Sequence, residues 1–144
     1  MKDITVRQIA AIERGLGLLA KPGQVVEVRI LNIDGRRNRV ASGYFHDFAA
    51  IAKAIPGYNA RAQGIYITLN PVNPVLLARA ANRIRAWSNL TTADSDIVKR
   101  RWLPIDIDPV RPSGISSSKA EHTAAHTRAQ GIREWLSDLG WPQP

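Results

Sequence analysis

The stretch Val25-Val26-Glu27-Val28-Arg29-Ile30-Leu31, the turn residues Asp34-Gly35, and the return Val40-Ala41-Ser42-Gly43-Tyr44-Phe45 decide how this chain folds. The first run is rich in β-branched residues, Asp-Gly favours the positive φ of a tight turn, and the second run is again apolar and aromatic, which together predict a β-hairpin. Its tip is basic, with Arg36, Arg37 and Arg39. Arg29 stands inside an otherwise apolar strand, so it either reaches a cleft or pairs with a carboxylate such as Glu27 or Asp47.

Outward from the hairpin, Ile9, Ile12, Leu16 and Leu19 recur at helical spacing and predict a helix over 5–19, stopped by Lys21-Pro22-Gly23. After the hairpin, Asp47 to Ala54 reads as a short helix broken by Pro56-Gly57, and Ile65 to Leu69 as a strand. Asn73-Pro74 is a sound helix start, because Asn caps free amides and Pro at the first position lacks the donor it would otherwise strand. The pattern predicts that helix to about Trp87, with Val75, Leu76, Ala80 and Ile84 facing the core and Arg79 and Arg83 together on the outer face. A further strand is expected over Trp102 to Ile107. A last helix should follow the Ser118/Glu121 capping box, with Ile132, Trp135, Leu136 and Leu139 as its apolar stripe and Gly140 as its end. Trp102 and Trp135 fit the core pattern. These elements predict an α+β chain with a mixed, partly antiparallel sheet flanked by helices, organised as one domain over 1–144.

Composition narrows the function. The 144 residues contain no cysteine, which excludes disulfides and thiolate metal sites and suits a cytoplasmic setting. No signal-peptide core or membrane-length apolar run is visible, so no membrane association is expected. Twenty Lys and Arg against twelve Asp and Glu give a net charge of +8, which favours nucleic acid as a partner. No acidic residue occurs between Phe48 and Ala93, whereas Asp94, Asp96, Asp106 and Asp108 cluster afterwards.

Alternation along a strand would put Asp106 and Asp108 on one side and Ile105 and Ile107 on the other. Two neighbouring carboxylates repel unless a cation lies between them, and a divalent ion with oxygen ligands is the usual partner. Arg111, just beyond, suits phosphate recognition by its planar fork. Lys99, Arg100 and Arg101 can track a nucleic-acid backbone, as can Arg79 and Arg83. Asn70 and Asn73 flank a strand end and a helix start, where exposed amides often meet anions, and Ser116 lies near the next helix start. His122 and His126 stand four apart on one helix, but the zincin pattern needs Glu directly after the first His and Thr123 is there instead.

Several of these segments together resemble a known group. The run Trp102-Leu103-Pro104-Ile105-Asp106-Ile107-Asp108-Pro109-Val110-Arg111-Pro112-Ser113-Gly114 is similar to the first catalytic motif of the primase/polymerase domains of phage and plasmid replication proteins, within the archaeo-eukaryotic primase superfamily. Gly23 to Arg29, Ser42 to Phe45, Tyr66 to Pro74 and Thr91 to Arg101 resemble the same group in the same order. The resemblance implies a primase-like catalytic domain whose Asp106 and Asp108 are catalytic ligands for Mg2+ or Mn2+, with a DNA template, nucleoside triphosphates and a helicase as partners. Members continue with a Ser-Gly-Asn-Gly-x-His motif and a further acidic residue. Neither is present here, so the domain reads as truncated at its carboxyl end and inactive alone. Two other readings remain open: a non-catalytic nucleic-acid-binding module, and a metal-dependent glycosyltransferase, a class that also uses an Asp-x-Asp pair.

Overall fold

A computed structural model describes residues 2–142, with side chains from Val6 onward. The chain is a mixed α+β protein that divides into two compact units, residues 1–103 and 104–144.

The first unit is built on the hairpin. Strands β1 (Val26–Leu31) and β2 (Val40–Phe45) pair antiparallel from Val26 opposite Phe45 to Leu31 opposite Val40, and β3 (Gly64–Ile67) joins the other side of β1, giving the order β2-β1-β3. Alternation sends Val26, Val28, Ile30, Ala41 and Phe45 to one face, where they form the main core with Leu16 of helix α1 (Lys2–Leu19), Ala20 just beyond it and Ile51 from helix α2 (Phe48–Ala54). Burying the Val, Leu, Ile and Phe side chains among these stabilises by roughly 1.5–3 kcal/mol each. The expected starts hold at α2, where Asp47 caps by accepting from the amides of Ala49 and Ala50 at 2.9 and 3.2 Å. At the hairpin tip Asn32, Asp34 and Asn38 take φ of 50°, 56° and 62°, a region that Asn and Asp tolerate better than other side chains.

The helix expected over 73–87 does not form. Asn73 caps as read, accepting from Val75 at 3.1 Å, but only a 3-10 turn follows, Pro74–Arg79. Residues 80–88 instead run along the outer edge of β2. The amides of Ser42 and Tyr44 donate to Arg85 and Ala80 at 3.0 Å each, and those of Asn82, Arg85 and Ser88 donate to Tyr44, Ser42 and Val40. A helix here would have left this row of strand groups unpaired, and unpaired buried backbone groups are costly. Leu76 and Ala80 are buried as expected, whereas Val75 is exposed. Arg79 and Arg83 therefore share no helical face. Gly43 allows the close approach, since a Cβ there would stand 2.0 Å from the Arg83 carbonyl oxygen.

The second unit contains α3 (Lys119–Asp138), begun by the expected capping box: Ser118 accepts from the Glu121 amide at 3.3 Å while the Glu121 carboxylate accepts from the Ser118 amide at 2.7 Å. None of its residues is buried, and Trp135 is 60% exposed, contrary to its core assignment. The strand expected over Trp102 to Ile107 is also absent. Its composition suits a strand, but no neighbouring strand takes up its backbone groups, and without a ladder a β-rich segment stays irregular.

Candidate functional site

Asp106 and Asp108 lie in the irregular segment that opens the second unit. Both are exposed, and neither makes a hydrogen bond or ion pair among the described residues. The strand that was to hold them side by side is not formed. Several other acids are engaged. Asp34 accepts two bonds from Arg61 at 3.0 and 3.1 Å, Asp47 caps α2, and Asp96 accepts from the Ala93 amide at 2.9 Å. The paired guanidinium of Arg61 holds the Asp34 carboxyl below its ordinary value, and the Ser118 bonds do the same for Glu121.

In the same loop, Arg111 donates to the Ile115 carbonyl at 2.6 Å, which leaves its other guanidinium hydrogens for a ligand. Ser116 is exposed. No group of three or more His, Asp or Glu suited to a metal occurs among the described residues. The rings of His122 and His126 meet edge-on with centroids 4.7 Å apart, without a third ligand. Two carboxylates still fit Mg2+, which commonly takes one or two from the protein and the remaining ligands from water and substrate phosphates.

The first unit distributes its predicted residues differently. Asn70 is a structural clip: its Oδ1 accepts from the amides of Arg101 and Trp102 at 2.6 and 2.8 Å, and its Nδ2 donates to the Trp102 carbonyl at 3.1 Å. This uses the amide expected to meet a phosphate, and Asn73 is likewise occupied as a cap. Arg101 lies with its guanidinium 5.3 Å from the Trp102 ring centroid, while Trp102, half-buried, donates its indole hydrogen to the Leu19 carbonyl at 2.6 Å. Lys99 and Arg100 are exposed and have no partner among the described residues. Arg83 is exposed too. Arg79 donates to the Tyr44 hydroxyl at 3.2 Å.

The ambiguity at Arg29 resolves in favour of Glu27, whose carboxylate is 2.8 Å away. Glu27 is 1% exposed and also accepts from the Ser42 hydroxyl and, at 3.1 Å, from the Thr92 amide. Burial pushes this carboxyl up, but the bonds from Arg29, Ser42 and Thr92 outweigh it and hold the group below its ordinary value. The network lies on the sheet face opposite the main core, beside the apolar cluster of Val25, Tyr44, Val72 and Leu76. Its signal in the sequence was the two-residue separation of Glu27 and Arg29, which puts both on the face opposite Val26, Val28 and Ile30.

No family model, curated protein or solved structure matches this chain. Among the described residues, no helix is long and apolar enough to cross a membrane.

Proposed function

We propose that this chain belongs to the catalytic domain of a cytoplasmic DNA primase/polymerase, with Asp106 and Asp108 as ligands for Mg2+ or Mn2+ and the basic first unit as a surface for the DNA template. The observation that carries the reading is the pair of exposed carboxylates two positions apart, unpartnered in a chain of net charge +8 that supplies cations to Glu27 and Asp34. Unpaired acids are available to a cation in a way that bridged ones are not.

A divalent ion held there supplies the charge stabilisation that nucleotidyl transfer requires. Asp106 and Asp108 offer it hard oxygen atoms. Arg111, braced through Ile115, offers its free hydrogens to phosphate oxygens in a charge-assisted geometry. Lys99 and Arg100 offer unpaired charge to a nucleic-acid backbone.

The test is a Mn2+ titration of the chain followed by amide NMR. Paramagnetic broadening confined to residues around 106–108, and lost in the Asp106→Asn/Asp108→Asn double variant, is the expected result. Broadening that is unchanged by the double substitution overturns the metal assignment and leaves the non-catalytic nucleic-acid-binding reading. DNA affinity should survive that substitution, because backbone contacts by Lys and Arg supply it.

A further inference from the structure

Pairing of residues 80–88 along β2 creates a small cleft in the first unit. It has a volume of about 240 Å³, below the ~300–1,000 Å³ usual for pockets that enclose a whole small molecule. Arg79 comes to it from the end of the 3-10 turn, Arg85 and Trp87 from the edge segment, Ser42 and Tyr44 from β2, and Asn89 from the chain beyond. No carboxylate lines it. The nearest buried acid, Glu27, bonds to Ser42 but is already matched by Arg29.

Two arginines therefore line this cleft without a negative partner. Arg79 donates only to the neutral Tyr44 hydroxyl and lies 5.9 Å from the centroid of that ring, which is itself 1% exposed and fixed in the core. The Arg85 side chain has no partner among the described residues, although its backbone is fastened to Ser42 by bonds of 2.8 and 3.0 Å. Beside them stands Trp87, 58% exposed and at φ 59°. A bulky side chain rarely adopts that conformation, and where it persists the surroundings impose it. Here the Ser88 amide is tied to Val40 at 2.9 Å, and the Arg39 guanidinium lies 4.3 Å from the indole centroid. An indole is thus held out to solvent and braced by a cation instead of being packed away.

We propose that this cleft seats one unpaired nucleotide of a single strand, its phosphate between Arg79 and Arg85 and its base stacked against Trp87. The proposal takes its ligand class from the nucleic-acid reading above but needs neither Asp106, Asp108 nor a metal. An arginine pair without carboxylates selects an anion, an exposed aromatic face selects a flat ring, and a nucleotide joins both in one residue. The small open volume favours a link of a strand over a free mononucleotide.

The experiment uses the 144-residue chain in a chelating buffer, with fluorescence anisotropy of a short labelled single-stranded oligodeoxynucleotide and tryptophan emission recorded together. Arg85→Gln should weaken binding roughly tenfold and lower the salt slope by about 0.7, the value for one phosphate of a single strand. Trp87→Ala should cost on the order of tenfold or more, and Trp87→Phe should recover part of it while losing the emission change seen on binding. Lys53→Gln, an exposed charge on α2 that does not line the cleft, should stay within about twofold. Thermal melts report that each variant is folded. Equal losses for Lys53→Gln and Arg85→Gln, an unchanged emission response in Trp87→Phe, or a mononucleotide that binds as tightly as the strand overturns the proposal. Because a chelator is present throughout, failure here leaves the Mn2+ result untouched, and a negative Mn2+ titration leaves this one standing.

Discussion

Helices α1 and α3 are similar in length, 18 and 20 residues, and both carry apolar side chains at spacings of three and four. Leu16 of α1 is 5% exposed against the sheet, whereas no residue of α3 is buried. The same periodicity thus serves as a core face in one unit and as a stripe with no fully buried residue in the other. Amphipathic spacing states which side of a helix seeks a partner; whether one is met depends on what else the chain folds beside it.

The contrast can be broken or sharpened by substitution. Gly43→Ala should have the largest effect, about 3 kcal/mol by denaturant unfolding, because its Cβ would meet backbone at Arg83 and not a movable side-chain end. Leu16→Ala should cost nearly as much, about 3 kcal/mol, while Trp135→Ala on the α3 stripe should stay within about 0.5 kcal/mol. Equal losses at Leu16 and Trp135 would erase the distinction between the two helices.

Acid should act on the first unit through Glu27. Its carboxyl is held below the ordinary value of 4.5, so the stability it contributes is complete above that pH and is lost as pH falls through the lower native value. Glu27→Gln should remove about 2 kcal/mol at neutral pH and flatten the acid limb of the stability curve. In the second unit, Ser118→Ala should cost α3 about 1 kcal/mol, seen as fraying of its first turn in amide exchange. As small as the Trp135 effect, Asp106→Asn and Asp108→Asn should change stability by no more than about 0.5 kcal/mol, since both carboxylates are exposed and neither makes a hydrogen bond or ion pair among the described residues.

Much of the hairpin and several helix ends were legible in the sequence, because there local signals met no competing demand. The β-branched runs on either side of Asp34-Gly35 formed the hairpin, Lys21-Pro22-Gly23 ended α1, and Ser118 with Glu121 started α3. The signals parted at 73–87, where Asn73-Pro74 nucleated one turn correctly but the open edge of β2 then drew the chain out of helix. Tertiary demand outweighed a propensity worth tenths of a kcal/mol per residue. At Trp102–Ile107 the reverse occurred: strand composition found no ladder. The carboxylates Asp106 and Asp108 were identifiable by type and spacing, but their common side rested on that strand and went with it. Asn70, read as a phosphate contact, is spent on Arg101 and Trp102, because an amide beside two free backbone N–H groups satisfies them first.

One margin of the sheet is sealed by residues 80–88, and the other is β3, just four residues long. Any peptide that extends the sheet therefore has one flank to join. A ribbon so short offers few rungs to a neighbouring molecule, and that brevity protects against intermolecular stacking where Tyr66 lies open to solvent.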